Sequence, residues 1–103
     1  MDIEKIREAV QEGKVNTRYH ASRRMLERKI LYEEVLEVIL KGKVIESYPQ
    51  AKPFPAYLIM GFVKVKEPLY VLCSFDGEIA HIITVHWLDP EKWITPWTRR
   101  KRK

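Results

Sequence analysis

The sequence predicts an α+β fold, with N-terminal helices packed on one face of an antiparallel sheet of about four strands. Three observations predict it. Apolar residues recur at helical spacing through residues 3–40. Beyond Gly42 the runs take on the composition of strands, rich in Val, Ile, Tyr and Phe. Asp76-Gly77 sits between two such runs as a hairpin signal. Helices grouped first and strands grouped after argue for α+β rather than an alternating α/β order. At 103 residues and 46% hydrophobic, the chain fits one domain with a real core, over residues 1–98. Residues 99–103 read as a basic disordered tail.

Asp2 is placed to cap a first helix carrying Ile3, Ile6, Ala9 and Val10, and Gly13 to end it in the left-handed conformation. Residues 14–19 read as a connector. A second helix spans residues 20–29, with Thr17 as its nearest candidate cap. Tyr32, Val35, Leu36, Ile39 and Leu40 follow the i, i+3, i+4, i+7, i+8 pattern of a third helix, which Gly42 terminates. Residues 43–48 are a strand, and residues 49–55, with three prolines, a loop. Residues 57–66 form a long strand with Gly61 as a candidate bulge. Residues 69–75 and 78–86 are the last two strands, joined at Asp76-Gly77. Residues 89–93 read as one helical turn, with Asp89 capping and Pro90 in the first helical position.

The charge is unevenly distributed. Arg99, Arg100, Lys101, Arg102 and Lys103 are all basic and equal the whole net charge of +5. The rest of the chain balances overall, yet Lys14, Arg18, Arg23, Arg24, Arg28 and Lys29 face only Glu27 in their stretch, while the third helix holds Glu33, Glu34 and Glu37. A polyanion would thus meet a local patch and a tail. The abundance of Glu and Lys over Asn and Gln fits a thermophile source. No apolar run approaches the roughly 20 residues that cross a bilayer, so no membrane is expected. The charged start Met1-Asp2-Ile3-Glu4-Lys5 lacks the apolar stretch of a secretion signal, and a cytoplasmic location is the expectation.

The residues from His20 to Ile30 carry the most chemistry. His20, Arg24 and Arg28 recur every fourth residue and form one stripe on a helix, with Ala21, Met25 and Leu26 turned inward. An imidazole beside two permanent cations can hold and process a phosphate. The same stripe is also what an ordinary solvated helix face looks like, and both readings stand open at this point. On the last strand, unbroken alternation places His81, Ile83 and Val85 on one face and Ile82, Thr84 and His86 on the other. If the helix start meets the strand end, His20 and His86 make a proton-transfer pair, Arg24 and Arg28 clamp phosphate, and Thr84 orients a neighbour. Arg18 and Arg23 extend the grip along the backbone, and the five tail residues add RNA contacts of an electrostatic kind. Histidine and cysteine spacings match no zinc pattern, and the scattered glycines form no phosphate loop, so neither metal nor other cofactor is expected. Cys73, in an apolar run, reads as a buried inert thiol.

The string His20-Ala21-Ser22-Arg23-Arg24-Met25-Leu26-Glu27-Arg28-Lys29-Ile30 resembles the signature H-A-x-x-R-M-x-x-R-x-I of the prokaryotic domain-of-unknown-function family 4258. The likeness continues through Leu40-Lys41-Gly42, Val44 to Pro49, Ile83-Thr84-Val85 and Asp89 to Trp93, and covers most of residues 17–93. It implies a compact fold similar to the RelE and MqsR class of ribonuclease toxins, and a small antitoxin of zinc-finger type as partner. Members of the family often carry histidine where Tyr70 stands and tyrosine where His86 stands. The function expected is that of an RNA-directed, metal-independent endoribonuclease of toxin–antitoxin type. The alternative is a non-catalytic RNA-binding or protein-interaction module of the same fold.

Overall fold

A computed structural model describes residues 3–63, 67–87, 93–95 and 98–99. The first helix, α1 (Ile3–Gln11), buries Ile6, Ala9 and Val10. Its end is a Schellman motif. Gly13 stands at φ 76°, its N–H donates to Val10 O, and Lys14 N–H donates to Ala9 O. The expected cap, Asp2, lies outside the described residues. The segment read as a connector instead holds a short strand, β1 (Val15–Thr17). Thr17 therefore belongs to the sheet. Arg18 takes the cap position of the second helix, α2 (Tyr19–Arg28), without a side-chain cap bond. Lys29 ends α2 at φ 56°, and Ile30 N–H closes on Met25 O.

The third helix, α3 (Tyr32–Lys41), buries Val35, Val38 and Ile39, in line with its periodicity. Glu34 accepts the Leu31 N–H at 2.8 Å, which satisfies one orphan donor at its start. At its other end Arg7 of α1 donates to Ile39 O at 2.9 Å and Gly42 O at 2.8 Å. A guanidinium there satisfies free carbonyls and meets the negative end of the helix dipole.

The next four strands are β2 (Lys43–Tyr48), β3 (Ala56–Val63), β4 (Glu67–Phe75) and β5 (Ala80–Trp87). Together with β1 they form one five-stranded sheet of order β1-β5-β4-β3-β2. The expected antiparallel sheet of about four strands is corrected on two counts. β1 adds a fifth strand, and it pairs parallel with β5, so the sheet is mixed. Three residues between helices give too short a pattern to read as a strand from sequence. The turn between β4 and β5 is also longer than the two-residue hairpin expected. Phe75 pairs with Ala80, Asp76 N–H donates to Ile79 O, and Gly77 supplies φ 101°. A short separate sheet pairs β6 (Trp93–Thr95) with β7 (Thr98–Arg99). Apart from Trp93, the helical turn expected at residues 89–93 lies outside the described residues, as do Arg100, Lys101, Arg102 and Lys103.

The core lies between the sheet and the helices. Ile6, Val35 and Ile39 meet Ile59, Val71, Ile82 and Val85 there, all fully buried. Each such side chain contributes about 1.5–3 kcal/mol on removal from water. Gly61 makes no bulge, since the register from β3 to β4 runs unbroken through Gly61 and Leu69. It leaves room for α3 instead: a Cβ there would lie 3.1 Å from Val38 Cγ2. Gly42 is tighter. Its Cβ would stand 2.5 Å from Val38 O and 2.7 Å from Met60 O, both backbone atoms that cannot swing away. Gly42→Ala is therefore expected to lower stability by about 1–3 kcal/mol. A fall in the urea midpoint at unchanged slope is the reading, and an unchanged midpoint would contradict the close approach of α3 to β3.

Candidate functional site

α2 owes its place to the outer edge of β5. β1 covers that edge only from Ala80 to Ile82. Where β1 stops, Arg18 N–H donates to Ile82 O at 3.0 Å, and α2 starts. At the far end Trp87 Nε1–H donates to Arg28 O at 3.3 Å. A helix of ten residues runs about 15 Å, close to the reach of a strand from Ile82 to Trp87. The helix thus replaces a strand along the remaining edge. Ala21, fully buried, allows the close approach. Leu26 does not turn inward as expected; it is 83% exposed. Ala21 and Met25 alone fill the inward position, because the helix meets one strand edge rather than a broad face.

A bulge in β5 decides which residues meet α2. Leu72 pairs with Thr84 and Cys73 with Ile82, so Ile83 is an extra residue. Unbroken alternation was expected, and the bulge overturns it. Ile82 and Val85 both face the helices, in one cluster. Thr84 and His86 lie on the opposite face, opposite Leu72 and Tyr70 respectively. The expectation that His81 and His86 point to opposite faces fails for the same reason. His81 is nonetheless engaged elsewhere: it bonds Asp76 Oδ2 at 2.8 Å and Asn16 Nδ2 at 3.2 Å. An Asn amide donating to Nδ1 leaves Nε2–H to donate to the carboxylate. This cluster ties β1 to the β4–β5 turn.

His20, Arg24 and Arg28 of α2 and Thr84, Val85, His86 and Trp87 of β5 line one cavity of about 220 Å³. Five residues singled out from sequence are thereby brought together. Arg24 Nε–H donates to His20 Nε2 at 3.4 Å, and His20 is exposed to solvent. His86 stacks on Tyr70, its register partner, with ring centroids 5.1 Å apart and planes 2° from parallel. Tyr70 is fully buried, so the stack fixes the imidazole plane. Glu27 binds Arg23 at 3.2 Å and lies 3.9 Å from Arg24. Exposed pairs of this kind hold a side chain by less than about 1 kcal/mol. Among the described residues Arg28 has no carboxylate within salt-bridge reach. Arg18 and Arg23 do not line the cavity. Arg23 instead lies over the Tyr19 ring at 5.9 Å. The RNA contacts expected of Arg100, Lys101, Arg102 and Lys103 lie outside the described residues, and of Arg99 only the backbone pairing in β7 is described. Cys73 is buried, and burial pushes its thiol up to about 12, which keeps it out of nucleophilic chemistry at neutral pH.

Sequence reasoning missed a second, larger cavity of about 740 Å³ beside the first. It lies between the loop after β2 and the sheet, with Leu58, Leu72 and Ile83 among its walls. Its signal in the sequence is faint: the loop prolines were visible, but the face of Ile83 depends on the bulge.

Residues 17–87 match the DUF4258 family, a domain of unknown function. The chain belongs to the DUF4258 family. The matched span holds α2 and β5 entire, and with them every residue that lines the smaller cavity. Tyr70 and His86, both within the matched span, are the cross-strand partners whose rings stack. No curated protein and no solved structure matches the chain.

The turn cluster sets a pH dependence separate from this cavity. Asp76 accepts the Ile79 and Glu78 N–H groups at 2.7 and 2.9 Å as well as His81. These bonds, the Ile79 amide foremost, lower its carboxyl from an ordinary 3.8 to about 2. A carboxyl depressed in the folded state stabilises above its unfolded value and loses that contribution as pH falls towards the folded one. Asp76→Ala is expected to melt below wild type at neutral pH, with the gap closing between about pH 4 and about pH 2. Melting curves across that range check it; a gap independent of pH would mean the carboxylate bonds are not its source.

Proposed function

We propose that this DUF4258 protein is an RNA-directed endoribonuclease that cleaves without a metal ion, using the cavity between α2 and β5. The observation that carries the reading is the joint lining of one cavity by two imidazoles, two guanidiniums and a hydroxyl from separate elements. Such a set supplies what cleavage by the RNA's own 2′-hydroxyl needs. A base takes the 2′-hydroxyl proton as its oxygen bonds phosphorus. An acid gives a proton to the departing 5′-oxygen as that P–O bond breaks. Cations hold the charge that develops on the non-bridging oxygens. The products are a 2′,3′-cyclic phosphate and a 5′-hydroxyl.

Within that scheme His20 is the base. The Arg24 Nε–H, 3.4 Å from its Nε2, orients the ring. His86, held in plane by Tyr70, is the acid. Arg24 and Arg28 grip the phosphate, and a guanidinium fork matches two phosphate oxygens at once. Thr84 lies on the wall beside His86 and orients it or the phosphate. A toxin of the RelE and MqsR class, restrained by a small antitoxin, is the kind of protein this reading fits. That part rests on what the family resemblance implies.

Wild-type protein incubated with single-stranded RNA in EDTA is expected to release fragments ending in cyclic phosphate. His20→Ala and His86→Ala should each lower the rate by about 100-fold or more. Arg28→Ala should weaken both cleavage and RNA binding. RNA bound but left intact by wild type would refute catalysis and leave a binding module of the same fold.

A further inference from the structure

The larger cavity adjoins the smaller one through a shared wall, for Thr84 and His86 line both. The two differ in character. One is edged by guanidiniums and imidazoles. The other is floored by Ala56, Leu58, Leu72 and Ile83, with Tyr48, Gln50 and one cation, Lys52, from the loop. A ligand that fills both must carry an anion and, a few bonds away, a flat and mostly apolar body. A nucleotide has that form: phosphate, sugar, base.

We propose that the larger cavity is the base-binding subsite of this protein, holding the base of a nucleotide whose phosphate is gripped by Arg24 and Arg28 and whose sugar lies at the shared wall of Thr84 and His86. The inference rests on the reading of the smaller cavity as a phosphate site and adds what that site recognises beyond phosphate. The cavity volume, about 740 Å³, lies within the range of pockets that enclose small organic ligands, roughly 300–1,000 Å³. Its apolar floor rewards a base for leaving water. Tyr48 on the rim is part-exposed, with its hydroxyl turned to Glu46. Gln50, exposed beside it, offers an amide that can donate to or accept from the edge of a base. The bulge at Ile83 is what joins the halves. Without that extra residue Thr84 and His86 would face the core, and the two cavities would not share a wall.

Chemistry on the cationic side is indifferent to the base, so the apolar side sets preference. A purine buries more surface than a pyrimidine and is the favoured occupant. The test compares AMP, CMP and ribose 5-phosphate, which share phosphate and sugar and differ in the base. Binding is followed by NMR titration of the whole chain. AMP is expected to bind roughly tenfold tighter than ribose 5-phosphate, with CMP between them. Amide shifts should spread to Ala51, Leu72 and Ile83 with the nucleotides alone. Ala51→Trp and Gln50→Trp, each filling the cavity from its loop side, should remove the preference for AMP, bringing its affinity down to that of ribose 5-phosphate. The second variant alters an exposed position, so a misfolded first variant does not blunt the test. Equal binding of AMP and ribose 5-phosphate would overturn the subsite and leave the phosphate site standing. Binding of none of the three would overturn both.

Discussion

The attachment of α2 to the free edge of β5 is the constraint on which the rest of this structure depends. A strand edge exposes backbone groups that must find partners. β1 provides them for three residues and then stops. Two hydrogen bonds secure α2 along the remainder: Arg18 N–H to Ile82 O at one end, and Trp87 Nε1–H to Arg28 O at the other. Neither is strong alone, since a typical bond contributes about 0.5–1.5 kcal/mol. Together they fix both ends of a short helix. Ala21 sits between them without bulk to hold the helix away. The consequence is chemical. The polar stripe of α2 runs beside the end of β5 and lines a cavity with it.

One extra residue then sets which side of β5 carries the polar groups. Side chains alternate along a strand, so a single insertion exchanges faces for everything beyond it. Ile83 is that insertion. It keeps Val85 in the core with Ile82 and places Thr84 and His86 on the face with Leu72 and Tyr70. The buried ring of Tyr70 then pins the imidazole of His86. Exposed pairings around Arg23, Arg24 and Glu27 are weak enough to yield to an incoming anion. The site thus combines one rigid wall, on the sheet, with one adaptable wall, on the helix.

Two other clusters keep the frame in order without entering the site. Arg7 joins α1 to the end of α3 through the carbonyls of Ile39 and Gly42. Asp76, His81 and Asn16 join the β4–β5 turn to β1. The second of these matters for the site at one remove, because it seats β1, and where β1 ends is where α2 begins. Both clusters are polar contacts between elements distant in sequence, and neither has a local pattern that announces it.

Elements with a period long enough to read were legible in the chain alone. α3 follows from Tyr32, Val35, Leu36, Ile39 and Leu40, and β2 starts and ends where its strand pattern does. Gly13 ends α1 because only a left-handed residue closes that motif. The stripe of His20, Arg24 and Arg28 was legible as well, since helical spacing is a local property. Three features were left to long-range packing. The stripe meets Thr84 and His86, β1 joins the sheet in parallel, and Ile83 shifts the alternation. The physical reason is the same in each case. Edge pairing, register and bulges are settled by partners far along the chain, and a strand of three residues or an insertion of one leaves no period to detect.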